Sequence, residues 1–255
     1  IKLGCFMKKI VEVCAGSYQD CLSAYKGGAN RVELNSALSV GGLTPSLATL
    51  IRVKRETKLN VVCMVRPRAA GFCYDESDAM IMMEDAKIFL KNGADGIAFG
   101  FLKDDNNVDL EKTKRMADLI HKYQKEAVFH RAFDVCPNPV KAMEELICCN
   151  MDRVLTSGQE AKAMDGIELI RLLQMKFGKR IQILAGSGIN ADNAKEIVTK
   201  TGICQVHSSC KNYCTDPTTI RNKVSYSYLS NPHTMDYDVV DIKLVRKLVN
   251  SLYEQ

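Results

Sequence analysis

Three short segments place charged, amide or sulfur side chains two residues apart. They are Glu12 and Cys14 in Ile10-Val11-Glu12-Val13-Cys14, then Arg31, Glu33 and Asn35 in Arg31-Val32-Glu33-Leu34-Asn35, and Met64 and Arg66 in the run from Val61 to Arg68. Successive side chains of a strand point to opposite faces, so each set shares one face and the intervening apolar residues take the other. His130, Arg131 and Asp134 follow a further apolar run, and Gln205 and His207 share the face of another. Carboxylates and imidazoles are the side chains of general acid–base chemistry, and guanidinium groups hold anions. Glu12, Glu33, Arg66, His130 and Asp134 are therefore the candidate catalytic residues. Isolated buried charge costs several kcal/mol or more, so these groups must pair, and the expected balance sets Glu12 and Glu33 against Arg66 and Arg68.

Three turns add anion-binding backbone: Thr156-Ser157-Gly158, Ala185-Gly186-Ser187-Gly188-Ile189 and His207-Ser208-Ser209. Glycine- and serine-bearing turns before a helix present N–H groups to phosphate or carboxylate. With them, the expected substrate-binding residues are Arg68, Arg131, Ser157, Gly158, Gly186, Ser187, Gly188, His207 and Ser208. No lysine stands clearly at an inward strand position, which argues against a Schiff base.

The elements that must carry these residues alternate regularly. β-branched runs expected as strands are Ile10 to Cys14, Arg31 to Leu34, Asn60 to Val65, Gly96 to Phe99, Ala127 to His130, Arg153 to Thr156, Ile181 to Leu184 and Gln205 to His207. Helix-period segments lie between them. Thr44-Pro45 and Asn138-Pro139 read as helix starts, and Gly27-Gly28 and Gly93 as stops. Eight βα units at even spacing favour a closed (β/α)8 TIM-type barrel, fold class α/β, over a doubly wound sheet. In that fold the C-terminal ends of the strands converge on one pocket. One barrel domain is expected over residues 8–255, with a long polar loop at 211–237 after the eighth strand, and Ile1 to Met7 reads as a leader or extension before Met7-Lys8-Lys9.

Composition narrows the function classes. The 255 residues are 46% hydrophobic and 25% charged, enough to bury a sizeable core. The net charge of +5 comes from 35 basic and 30 acidic residues spread along the chain, so no nucleic-acid partner is expected. Apolar runs are strand-sized, and no membrane span is expected. Eleven cysteines, an odd number without C-x-x-C spacing, fit a reducing cytoplasm better than a disulfide framework.

Six ordered motifs then read together: Val32-Glu33-Leu34, Gly41-Gly42-Leu43-Thr44-Pro45-Ser46, Val65-Arg66-Pro67-Arg68, Phe129-His130-Arg131-Ala132-Phe133-Asp134, Val154-Leu155-Thr156-Ser157-Gly158-Gln159 and Val206-His207-Ser208-Ser209. In that order, from Lys9 to the C-terminus, the chain resembles the CutC family. The resemblance implies a cytoplasmic barrel, often a homo-oligomer, associated with copper tolerance and in some members with Cu(I) binding. Soft Cu(I) prefers sulfur ligands, which makes Cys14 the expected metal ligand, with Met64, Cys73 and Cys136 as other sulfur donors near strand ends. Many family members carry a cysteine directly after Val-Glu-Leu, where this chain has Asn35. Two readings stay open: a Cu(I)-binding protein, and a barrel enzyme acting on a small phosphorylated or carboxylated metabolite.

Overall fold

The computed structural model describes residues 9–253; the expected leader at 1–7 lies outside them. Eight parallel strands close into one barrel in chain order: β1 (Ile10–Ala15), β2 (Arg31–Leu34), β3 (Asn60–Met64), β4 (Gly96–Phe99), β5 (Glu126–Phe129), β6 (Arg153–Thr156), β7 (Gln182–Ala185) and β8 (Gln205–Ser208). Around it run α1 (Tyr18–Gly27), α2 (Leu47–Glu56), α3 (Glu76–Lys91), α4 (Leu110–Lys122), α5 (Pro139–Cys148), α6 (Ile167–Phe177), α7 (Ala194–Thr201) and α8 (Ile242–Tyr253).

Strand parity sorts the core into two parts. Val11, Val13, Val32, Leu34, Val61 and Cys63 face outward into the apolar layer beneath the helices. A separate small cluster of Val62, Met64, Ala98 and Val128 lies on β3, β4 and β5. The opposite wall of the interior, on β8, β1, β2 and β6, is polar: Gln205, His207, Glu12, Arg31, Glu33 and Arg153 are all buried. The interior is thus half apolar and half ionic. The helices complete the outer layer through stripes at helical spacing, such as Thr113, Met116, Ala117 and Ile120 on α4.

Local signals set most helix boundaries. Ser17 caps α1 by accepting from the Asp20 N–H, and Gly28 ends it at φ 93°, a conformation that glycine alone adopts without strain. Asn138 caps α5 ahead of Pro139, as expected. Thr44-Pro45 does not start α2: the helix begins at Leu47 after Ser46. The Thr44 hydroxyl is instead used across the barrel rim, accepting from Arg66 N at 3.0 Å and lying 3.1 Å from Arg66 O.

The long polar segment after β8 is not an irregular loop. Lys211–Thr215 forms β9, which pairs antiparallel with β12 (Asp236–Val240), and the short strands β10 (Ile220–Arg221) and β11 (Val224–Ser225) pair with each other between them. Its polarity reflects exposure rather than lack of structure. Tyr213 stacks on His233 at 3.8 Å between ring centroids, and His233 Nδ1 lies 2.7 Å from Asp236 Oδ2. Asp20 anchors this hairpin to the barrel: one carboxylate oxygen accepts from Val240 N at 2.8 Å and the other from Gly16 N at 3.0 Å.

Candidate functional site

The floor of the site is an ion cluster at the seam where β1 meets both β2 and β8. Register aligns Glu12 with Arg31 on one side and with His207 on the other. Glu12 is in contact with Arg31 Nε, lies 4.0 Å from Arg153 Nη1, and its other oxygen is 2.7 Å from His207 Nδ1. The two arginines are tied further: Arg31 Nη2 donates to Gln205 Oε1 at 2.7 Å, and Arg153 Nη2 donates to Glu126 Oε2 at 2.6 Å. Burial alone would raise the Glu12 pKa, but the Arg31 cation and the His207 hydrogen bond hold it well below the usual carboxylate range. A carboxylate that is always ionised and fully engaged is a poor proton shuttle. Its Oε1 holds the His207 ring through Nδ1.

The expected charge balance is corrected here. Glu12 is balanced by Arg31 and Arg153, not by Arg66 or Arg68. Arg68 sits on the rim, half exposed, pairing with Asp78 at 3.1 Å and donating to Cys73 O at 2.7 Å; it is not in the pocket. β3 ends at Met64 and the Arg66 N–H already bonds to Thr44 Oγ1 instead of a neighbouring strand, so strand parity does not extend to Arg68. Arg153 was missed, although it shares its face with Leu155 in Arg153-Val154-Leu155, a signal that parity would have caught.

Above the seam, three donor atoms converge. The Cys14 thiol, a Glu33 carboxylate oxygen and a His207 ring nitrogen all lie within 4.8 Å of one another. With Nδ1 engaged by Glu12, Nε2 is the His207 nitrogen left for Cys14 and Glu33. Asn35 Nδ2 donates to Glu33 Oε2 at 3.0 Å and stands 3.7 Å from Cys14 Sγ. Burial pushes the Cys14 thiol up against the opposing pull of His207. Burial and the charge of Glu12 raise Glu33 as well. For His207, burial would lower the pKa, but Cys14, Glu12 and Glu33 raise it well above the ordinary imidazole value.

These three residues form one end of a cavity of about 350 Å³ at the C-terminal ends of the strands. Met64, Phe72, Leu155 and Ile189 provide apolar walls, and Asp238, Val239 and Val240 of β12 close one side. Arg66, His130 and Arg131 border it too, with Ser187, Gly188 and Ser208 from the last two strand–helix turns. Neither Phe72 nor the β12 residues were expected from the sequence, because their positions depend on loop paths.

Arg66 is buried and spans two loops, donating from Nη1 to Val40 O at 3.0 Å and Gly42 O at 2.9 Å, and from Nη2 to Ala70 O at 2.6 Å. His130 follows β5; its Nδ1 accepts from Ala132 N at 3.1 Å, which leaves the proton of the neutral ring on Nε2. Burial and the neighbouring Arg66 cation bring its pKa down to about 3. His130 is therefore a neutral N–H donor rather than a base at neutral pH.

The remaining expected residues divide. Asp134 does not border the cavity: it accepts from Arg131 Nε at 2.7 Å, Thr156 Oγ1 at 2.5 Å and Ser157 N at 3.1 Å, locking the turn after β6. Ser157 serves the same lock, accepting from Arg131 Nη2 at 2.8 Å. Gly158 packs against Gly166, whose carbonyl oxygen a Cβ would meet at 2.3 Å. Gly186 lies under the pocket, where a Cβ would meet Leu155 at 2.7 Å. The hydroxyls of Ser187 and Ser208 border the cavity but already donate to Ala161 O at 2.7 Å and Ile189 O at 2.6 Å. Of the sulfur donors, Cys14 and Met64 line the cavity; Cys73 is exposed, and the Cys136 thiol faces Ala132 O at 3.7 Å.

Residues 9–212 match the family model described as the CutC family. A CutC family protein from Treponema denticola is 45% identical over 248 residues, covering 96% of this chain and 100% of the relative. One from Bacteroides thetaiotaomicron is 37% identical over 251 residues, covering 96% and 98%. Among solved structures, a CutC protein from Streptococcus agalactiae that carries copper homeostasis in its name superposes with a TM-score of 0.74 at 30% identity, covering 79% of this chain and 98% of that one. N-(5'-phosphoribosyl)anthranilate isomerase from Pyrococcus furiosus superposes with a TM-score of 0.55 at 15% identity over 97% of this chain and 100% of that one, a likeness of fold alone.

Proposed function

The chain belongs to the CutC family, and from that premise we propose that it serves copper homeostasis by holding Cu(I) between Cys14 and His207. The observation that carries this reading is the convergence of Cys14, Glu33 and His207 within 4.8 Å at the C-terminal ends of the barrel strands. A thiolate and an imidazole are ligands that Cu(I) accepts readily. Glu12 supports the assignment from behind: a carboxylate on the far ring nitrogen of a histidine fixes the ring and raises its strength as a ligand. Asn35 stands where a second thiolate would sit, so Cys14 is the single cysteine at this site and the imidazole takes the other's place.

Cysteines that stand outside any disulfide, among them Cys14, Cys21, Cys63, Cys136 and Cys149, support a reducing compartment, the cytoplasm, as the setting. No helix among the described residues is long and apolar enough to cross a membrane. Exposed Met80 and Ile81 on α3 support assembly into a homo-oligomer, which light scattering would measure.

Anaerobic Cu(I) titration against a competing chelator tests the proposal. Wild type should compete for the ion, and Cys14→Ser and His207→Ala should each lose affinity by at least about tenfold. Unchanged affinity in Cys14→Ser would remove this site.

A further inference from the structure

The end of the cavity opposite Cys14 is built differently, and copper does not account for it. Arg66 and His130 both flank the Phe72 ring: the Arg66 guanidinium carbon lies 5.2 Å from its centroid and the His130 ring 4.9 Å. Both side chains are buried, at 5% and 3% exposure. The nearby arginines Arg31 and Arg153 have carboxylate partners, whereas Arg66 meets backbone carbonyls through three hydrogen bonds. Arg66 Nε and His130 Nε2 are both buried without a hydrogen-bond partner. A buried donor without an acceptor is destabilising, so such groups rarely persist unless a ligand satisfies them.

We propose that Arg66 and His130 form a carboxylate-binding subsite for a small organic monocarboxylate whose carbon chain lies along Phe72, Met64 and Leu155. The chemistry sets the class. One fixed cation and one neutral N–H donor match a single negative charge shared over two oxygens. A phosphate dianion would ask for more positive charge than this end supplies, and the hydroxyls of Ser187 and Ser208 are already donated to carbonyls. The apolar walls match a hydrocarbon chain of modest length within about 350 Å³. The chain directs the ligand's far end toward Cys14, Glu33 and His207. Gly100 makes room for the arrangement, since a Cβ there would lie 2.5 Å from His130 Cε1.

The test is calorimetric titration of metal-free protein with butanoate, hexanoate, octanoate and hexyl phosphate. At least one carboxylate should bind, and hexyl phosphate should bind more weakly than hexanoate. His130→Phe should weaken carboxylate binding by about tenfold, and His130→Gln, which restores an N–H donor, should recover most of it. In wild-type protein labelled with ¹⁵N-histidine, the His130 Nε2 proton resonance should shift on hexanoate addition, a readout that needs no variant to fold. These titrations contain no copper, which keeps their result separate from the copper titration. No carboxylate binding, wild-type affinity in His130→Phe, an unmoved resonance, or tighter binding of hexyl phosphate would each overturn the assignment.

Discussion

His207 Nδ1 lies 2.7 Å from Glu12 Oε1, across the register of β8 and β1. That hydrogen bond does two jobs. It ties the last barrel strand to the first, and it orients the imidazole that faces Cys14.

Replacing Glu12 by glutamine removes the shared counter-charge of Arg31 and Arg153 while leaving both buried. Breaking a buried pair from one side costs about 3–5 kcal/mol. Urea unfolding of Glu12→Gln at neutral pH should show a loss of that size. The cost should shrink when Arg31→Met is added, because the orphaned charge is then removed.

Acid should destabilise the protein through His130. Its folded pKa of about 3 lies below the ordinary value of 6.5, so between those limits the unfolded chain binds the extra proton. The stability from keeping His130 neutral is therefore present above pH 6.5 and lost as pH falls toward 3. Between pH 6.5 and 4.5 the slope approaches about 1.4 kcal/mol per pH unit, a loss on the order of 2 kcal/mol. Chemical denaturation across this range should give a flatter profile for His130→Gln than for wild type.

Copper affinity should rise with pH. Both the Cys14 thiol and the His207 imidazole hold their protons more tightly than usual, and both must release them to bind a metal. Competition titrations above neutral pH should therefore show tighter Cu(I) binding than those below it, and Cys14→Ser should flatten the dependence.

Asn35→Cys should strengthen the copper site. The Asn35 amide nitrogen is 3.7 Å from Cys14 Sγ, so a thiol grown from the same backbone stands beside Cys14. A second soft ligand should raise Cu(I) affinity by at least about tenfold in the same titration. An unchanged value would show that the cysteine cannot turn toward the ion.

Gly100→Ala should damage the carboxylate end alone. The new methyl would press on His130 Cε1 and on Ala132 Cβ at 2.7 Å, at an overpacking cost of about 1–3 kcal/mol. Thermal unfolding should register that cost, hexanoate binding should fall, and Cu(I) affinity should stay near wild type.

The barrel was legible because the strands carry their own parity and helices such as α1 and α5 their own caps. Glu12, Cys14, Glu33 and His207 could be placed on one interior from that rule, where Glu12, Glu33 and His207 are buried and Cys14 stands partly exposed beside them. Partners were harder to read. The sequence balances charges only by sign, so Arg66 and Arg68 were expected opposite the glutamates, while the barrel's stagger brings Arg31 and Arg153 to Glu12 instead. Loop residues escaped for the same reason: Asp134 resembles a catalytic carboxylate in sequence and proves to be the lock of the β6 turn. The hairpin of β9 and β12 escaped because β9 is exposed and polar and its partner β12 follows only after two further short strands.

That hairpin gives the cavity a divided inheritance. Cys14, Glu33, Arg66, His130 and His207 all fall within the segment that matches the family model, whereas Asp238, Val239 and Val240 fall beyond its last matched residue, 212. Chemistry and admission are therefore written in different stretches of the chain. A change confined to β12 could alter which molecules enter while leaving every ligand-bearing strand untouched.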